Sequence, residues 1–264
     1  MNNYQITEQE NRFKYVNYQD LNEYTKDDDM MLILRHINNQ ILTVDQSIQF
    51  ESLNELRRLL KFHPELFEFV FSNIYSRVAD FLSSSSNQIR QVTLILITEL
   101  FSSREFEIED LEGSLVSEWL FEIIPPVVEL ASTHQNSLFS DQAIKALTEL
   151  SKFMFHPETI DCLLRILIMC RSDTEELRSK ICFDLLDNHI ENYDVISMEN
   201  NLEWSCIFQN FVEIYQLNDF TRMRIRKTMR LISSKLTNDG FIRLLNTNLD
   251  DDQQRTILDI YYSS

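Results

Sequence analysis

Apolar residues recur at steps of three and four along most of the chain beyond residue 28, which places them on one face of a helix. In one clear example, the apolar positions are Phe139, Ala143, Ala146, Leu147, Leu150 and Phe153. In another they are Ile225, Met229, Ile232 and Leu236. The spacing predicts about twelve helices, at roughly 28–42, 46–62, 64–83, 87–103, 113–132, 138–155, 157–170, 174–190, 202–216, 219–236, 238–246 and 251–262.

One predicted helix is apolar on nearly every side instead of along a single stripe. It runs from Val92 to Phe101, with the sequence VTLILITELF. A helix of that kind must be covered by neighbours on most of its surface. We therefore expect it to be buried between other helices.

The tetrapeptide Phe-His-Pro-Glu occurs at residues 62–65 and again at 155–158. Its histidines could be half of a metal site, or the motif could be a joint used twice. Each copy ends one predicted helix and opens another, and Pro64 and Pro157 fall where the first helical turn tolerates proline. Half of the interval between the copies is about 46 residues, close to the period of HEAT and armadillo repeats. Because no third or fourth ligand lies nearby, we expect helix joints and no metal.

Composition agrees with a helical domain. The 264 residues include 2 Gly and 4 Pro, and 44% are hydrophobic. Sheets with tight hairpins usually need more glycine and proline. We predict an all-α domain over 28–264, preceded by a polar arm over 1–27.

The formal net charge of −18 argues against two classes of partner. Binding of nucleic acid needs clustered basic residues, and an anionic membrane repels an acidic protein. The N-terminal stretch lacks the apolar core of a secretory signal, and no apolar run is long enough to span a bilayer. The cysteines form no CxxC pair and are expected to be small buried residues in a reducing compartment, at Cys162, Cys170, Cys182 and Cys206. We expect a cytoplasmic protein.

No catalytic motif is found, since the sequence has no GxGxxG, GxxxxGK[ST], HExxH or GxSxG pattern. We therefore expect a protein that is not an enzyme and that has no cofactor, metal or catalytic residue. Two acidic triplets, at 27–29 and 250–252, each precede a predicted helix. Helix capping explains them, because the spacing and glycine of an EF-hand are missing.

One basic cluster lies in this acidic chain, near residue 225. Five of the 24 basic residues lie within nine positions: Arg222, Arg224, Arg226, Lys227 and Arg230. One interpretation is a solvated face that pairs with acidic residues of neighbouring repeats. The other is a docking patch for an acidic partner.

Several stretches resemble the TOG domain, the HEAT-repeat module of microtubule regulators such as the CLASP proteins and the Crescerin-type ciliary proteins. The resemblance is carried by 51–67, 87–101 and 136–150, and by Leu177-Arg178 and Ile225-Arg226, which look like the start of a repeat's inner helix. It covers about 30–262. It implies an α-solenoid of about six HEAT/armadillo-like repeats, TOG-like in size.

In TOG domains the turns within the repeats line one edge and bind tubulin. By position, the resemblance places these turns near Gln46, Arg90, Asn136, Arg178 and Arg226. We expect a non-enzymatic scaffold that binds tubulin, an axonemal assembly or another acidic protein there, in the cytoplasm, on the cytoskeleton or in a cilium. The alternative is a HEAT/armadillo adaptor or complex subunit unrelated to microtubules.

Overall fold

The computed structural model describes residues 16–25, 29–103, 113–133, 137–153, 157–170, 175–192 and 203–263. Within these ranges the regular secondary structure is entirely helical, which confirms the all-α prediction. A short 3-10 helix spans Tyr18–Asp20. The α-helices are α1 Met30–Gln40, α2 Gln46–Phe62, α3 Pro64–Phe81, α4 Asn87–Ser102, α5 Gly113–Ser132, α6 Ser137–Phe153, α7 Pro157–Met169, α8 Glu176–Asn192, α9 Trp204–Tyr215, α10 Asp219–Asn248 and α11 Asp251–Tyr262.

The helices form two rows, in which each helix contacts the next but one along the chain. The first row is α1, α3, α5, α7 and α9, and the second row is α2, α4, α6, α8 and α10. Helices that follow each other directly also pack together, for example α1 with α2 and α9 with α10. The last helix, α11, packs on α9 and α10. Contacts restricted to near neighbours along the chain are compatible with an α-solenoid.

The α4 helix confirms the prediction of a helix buried on most sides. Nine of its residues are buried, from Ile89 to Phe101. The hydroxyl groups of Thr93 and Thr98 donate to carbonyl oxygens one turn earlier, each at 2.7 Å, so neither polar group is left unpaired. The extensive burial of α4 follows from its position in the fold, since it packs against α2 and α6 in its own row and also contacts α3.

The first Phe-His-Pro-Glu copy is the helix joint that the sequence predicts. The α2 helix ends at Phe62, and Pro64 is the first residue of α3. His63 between them has an extended φ of −145° and lies 3.7 Å from Glu65. In the second copy Pro157 is the first residue of α7. Residues 154–156 lie outside the described part of the chain.

The helix-capping interpretation of the acidic triplets is also confirmed. The carboxylate of Asp29 accepts from the backbone N–H of Met31 at 3.0 Å, at the start of α1. Asp250 accepts from the N–H of Gln253 at 2.9 Å, in a capping box at the start of α11. Each carboxylate satisfies donors that have no partner within the helix. Residues 26–28 lie outside the described ranges.

The predicted boundary between segments 219–236 and 238–246 coincides with a break inside α10. Thr237 has φ 65° and ψ 160°, a conformation that is strained for a β-branched residue. Its hydroxyl accepts from the N–H of Gly240 at 3.3 Å, so the helix restarts on a side-chain cap. A Cβ atom on Gly240 would lie 3.4 Å from that of Leu236, in van der Waals contact with it.

A buried ion pair joins α2 to α4. Arg57 is 1% exposed, and its Nε and Nη2 donate to the two oxygens of Glu99 at 2.7 and 2.6 Å. Burial raises the pKa of Glu99, and the hydrogen bonds from Arg57 oppose that rise. Removing one member of a pair like this leaves a buried charge without a partner, so each holds the other in place.

The buried position of α4 predicts large losses of stability on truncation. Leu96 and Leu100 are 0% and 1% exposed, and either leucine-to-alanine change should lower the free energy of unfolding by about 2–5 kcal/mol. Chemical denaturation monitored by circular dichroism measures this. Leu32→Ala on α1, at 65% exposure, is the control and should cost under about 0.5 kcal/mol. A loss under about 0.5 kcal/mol at both α4 sites would place this helix outside the core.

Candidate partner-binding edge

The turns that precede the helices of the second row lie along one edge of the molecule. Arg90 near the start of α4 stacks on the ring of Phe139 near the start of α6, at 4.7 Å. Arg178 near the start of α8 pairs with Glu129 near the end of α5. Neighbouring second-row helices are therefore parallel, with their N-terminal ends together. We call this feature the turn edge and define it as the described residues 41–46, 82–90, 133, 137–138, 169–170, 175–178 and 216–226.

Side-chain caps fix the conformation of these turns. Asp45 accepts from the N–H of Ser47 at 2.8 Å at the start of α2. Asn218 and Thr221 form a capping box at the start of α10, with Thr221 N donating to Asn218 Oδ1 at 2.9 Å. Gln46, beside the first cap, is exposed to solvent. Caps of this kind satisfy backbone groups that the turns would otherwise expose.

Two of the arginines that the resemblance assigns to the turns, Arg90 and Arg178, make contacts with neighbouring residues. Arg90 donates from Nη2 to Asn87 Oδ1 at 2.6 Å as well as stacking on the next helix. Arg178 contacts the carboxylate of Glu129 and lies 3.4 Å from that of Glu175. Both guanidinium groups therefore hold the edge together as well as lining it. Asn136, at the third turn, lies outside the described residues.

Two members of the basic cluster converge on a buried carboxylate of α8. Asp187 has a side chain 6% exposed, and it accepts from Arg224 at 3.2 Å and from Lys227 at 2.8 Å. The hydroxyl of Thr228 donates to its other oxygen at 2.6 Å. Arg224 also reaches Asp184 at 2.7 Å. Arg224 and Lys227 thus pair with an acidic neighbour, as one of the two interpretations of the cluster expects.

Of the remaining cluster residues, Arg222 and Arg226 contact the end of α9, and Arg230 faces solvent. Arg222 Nε donates to the backbone carbonyl of Tyr215 at 3.2 Å, and Arg226 Nη2 donates to its hydroxyl at 2.8 Å. Hydrogen bonds from Ser263 and then from Arg226 lower the pKa of Tyr215. The side chain of Arg230 is exposed, and no ion pair joins it to a residue in the described ranges. The five basic residues therefore do not form one open patch.

Exposed apolar side chains are the feature of the turn edge that the sequence analysis misses. Five of the ten large hydrophobic side chains that are exposed in the described residues lie there, at Leu42, Val44, Leu138, Met169 and Met223. Val44 is 94% exposed. The sequence did contain a signal for this exposure, because Leu42 and Val44 fall between two predicted helices. An apolar residue there does not belong to the buried face of either helix.

The cysteines differ from expectation at one position. Cys162, Cys170 and Cys182 are buried, and burial raises the pKa of Cys162 to about 12, so its thiol is a poor nucleophile at neutral pH. Cys206 is exposed, since it lies on the same side of α9 as the exposed Gln209 and Glu213. None of the described helices has the length and apolar character needed to cross a bilayer.

Comparisons with known proteins identify no family for this chain. No family model matches the sequence, and no curated protein matches it. Among solved structures, the chain is similar to two engineered proteins from the Northeast Structural Genomics Consortium, at 14% and 13% sequence identity. The matches cover 88% and 87% of this chain and 99% and 94% of those chains, with a TM-score of 0.42 in each case.

The contacts of Arg224 predict a sharp difference between two arginines of the same helix. Arg224→Glu places a third carboxylate beside Asp184 and Asp187, so it should lower the free energy of unfolding by about 3 kcal/mol or more and the thermal midpoint by at least about 6 °C. Arg230→Glu, at an exposed site, should change it by under about 0.5 kcal/mol. Thermal unfolding followed by circular dichroism compares the two. Equal midpoints for both variants would contradict the bracing role of Arg224.

Proposed function

We propose that this chain is a non-enzymatic protein-binding scaffold of the HEAT/armadillo type, and that it binds a partner protein along the turn edge. The observation that carries the proposal is the concentration of exposed apolar side chains there. Val44 and Met169 are 94% and 73% exposed, in the first and fourth of the turns along this edge. A concentration of exposed apolar side chains on one side of a soluble protein suits an interaction site, and the aligned turns of a solenoid offer it over a long, shallow surface.

The repeat organisation supports this proposal. In the proposed organisation each repeat is a hairpin of one first-row helix and one second-row helix, and the hairpins stack in chain order. The break at Thr237 divides α10 so that its second part and α11 make a sixth hairpin. Phe241 in that second part contacts Phe208 of α9 and Tyr261 of α11, with ring centres 6.2 and 5.2 Å apart. An extended scaffold of this kind suits protein partners better than small substrates.

A TOG-like module that binds tubulin is the second candidate. It is favoured by the recurrence of arginine within the first four residues of second-row helices, at Arg90, Arg178 and Arg222. Tubulin is acidic, so a row of arginines along one edge would attract it. The internal contacts of Arg178 and Arg224 favour the first candidate, because a cation that already has a carboxylate partner adds less attraction for an acidic protein.

Replacing Leu42, Val44 and Met223 together with serine should remove partner binding. These side chains are at least 58% exposed, so the thermal midpoint should change little while capture of the partner falls by tenfold or more. Affinity capture from a native lysate with quantitative mass spectrometry measures the loss. The matched control replaces Phe69 and Ile144, which are also exposed and lie away from this edge and from the groove between α1 and α2, with serine. Equal losses in both variants, or none in the edge variant, would contradict the proposal.

Co-sedimentation with microtubules separates the two candidates. If the chain is TOG-like, it should bind tubulin or microtubules at low salt and less well at physiological ionic strength, where charges are screened over about 8 Å. Arg222→Glu should weaken that binding with only a small change in stability, because its side chain is 46% exposed and its contacts with Asp219 and Tyr215 lie at the surface. Failure to bind both free tubulin and microtubules at low salt would exclude the tubulin candidate and leave the adaptor proposal standing.

A further inference from the structure

The N-terminal segment at residues 16–25 is held on α2 by its main chain. Lys61 donates to the carbonyl oxygens of residues 18, 19 and 21, at 2.7 to 3.1 Å. Arg58 donates to the carbonyl of residue 22 at 3.1 Å, and Arg57 to that of residue 16 at 2.8 Å. Three cations of one helix therefore bind five backbone carbonyls. Every residue carries such a carbonyl, so these contacts recognise a main chain whatever its sequence.

Side chains three residues apart add sequence preference to this contact. The guanidinium of Arg58 lies over the ring of Tyr24 at 4.0 Å, and the ammonium of Lys61 lies 5.5 Å from the ring of Tyr18. Leu21 between them is 7% exposed. A cation over an aromatic face contributes about 0.5–1 kcal/mol at a surface site. The α2 surface thus selects an aliphatic residue flanked by aromatic residues at a spacing of three.

Glu55 connects this contact to an adjacent groove. It accepts from the hydroxyl of Tyr24 at 2.9 Å and is paired with Arg58 at 2.9 Å. Glu55 also lines an open groove of about 410 Å³ between α1 and α2, together with Leu32 and His36. The segment therefore lies at the mouth of the groove. A partner that enters the groove meets the same carboxylate that anchors Tyr24.

The way the segment is held allows its displacement. Among its described side chains only Leu21 is buried. Tyr24 is partly buried, with its ring 5.6 Å from that of His63, and the segment's hydrogen bonds to Arg58 and Lys61 are part-buried or exposed. Each such hydrogen bond adds only about 0.5–1.5 kcal/mol net. Covalent attachment supplies much of the occupancy, because a short tether gives an effective concentration on the order of millimolar.

We propose that this surface of α2 is a binding site for an extended polypeptide segment with an aliphatic residue flanked by aromatic residues, and that residues 16–25 occupy it in cis. A partner segment of the same kind binds by displacing them. The N-terminal segment is then an autoinhibitory ligand, and the site is separate from the turn edge because Arg58 and Lys61 lie in the last two turns of α2.

A synthetic peptide of residues 16–25 tests this proposal on the 264-residue chain. Isothermal titration compares the wild type with Tyr18→Ala/Tyr24→Ala, in which the cis segment has lost both ring contacts. The peptide should bind the variant at least about tenfold more tightly, because the wild-type segment competes at its high effective concentration. The control peptide carries alanine at both tyrosine positions and should bind neither chain. Equal affinity for the two chains, or no binding to the variant, would overturn the proposal.

Changes on α2 locate the binding site. Arg58→Ala/Lys61→Ala, added to the tyrosine variant, should weaken peptide binding by tenfold or more, whereas Arg230→Ala should leave it unchanged. If the double change unfolds the chain, as seen by circular dichroism, Lys61→Gln alone gives the same test with a side chain of similar length. Peptide binding that is insensitive to the α2 changes would place the site elsewhere and contradict the assignment.

Discussion

The fold depends on one constraint, which is that a helix apolar on most sides needs neighbours on most sides. The hairpin partner of α4 cannot cover it alone, so α2 and α6 pack along its flanks. The same requirement, repeated from hairpin to hairpin, produces two rows of helices with contacts between near neighbours. Because every second-row helix faces the same way, the turns that precede these helices lie along one edge.

Buried carboxylates are paired with arginines of neighbouring helices. The chain carries 42 acidic and 24 basic residues, and two carboxylates with little exposure take arginine partners from a neighbouring second-row helix. Glu99 pairs with Arg57 across α4 and α2, and Asp187 pairs with Arg224 across α8 and α10. These pairs fix neighbouring helices in register, and they draw cations away from the surface. What the turn edge offers a partner is therefore more apolar and less basic than the basic residues of the sequence imply.

The sequence predicts the helices, the caps at Asp29 and Asp250 and the joint at Pro64, because each depends on residues within one turn of the chain. It does not predict which carboxylate Arg224 contacts, because the partner lies some forty residues away in the sequence and a long side chain can reach several positions. Nor does it predict the exposure of Val44, because periodicity assigns faces to helices and not to turns. The attachment of residues 16–25 is hidden for another reason. Its hydrogen bonds to Arg57, Arg58 and Lys61 are accepted by backbone carbonyls, which every residue carries and which therefore leave no mark in the sequence.

A shared turn edge requires the turns to form a line that follows chain order. Spin labels at Val44 and Leu138, and in a second sample at Val44 and Met223, measure this by pulsed electron paramagnetic resonance, with Cys206 replaced by serine. At about 8–10 Å per helix the first pair spans two helix spacings and the second pair four. The account predicts a distance for the second pair that exceeds the first and reaches roughly 30–40 Å. A second distance equal to or shorter than the first would mean a closed bundle and would contradict the shared edge.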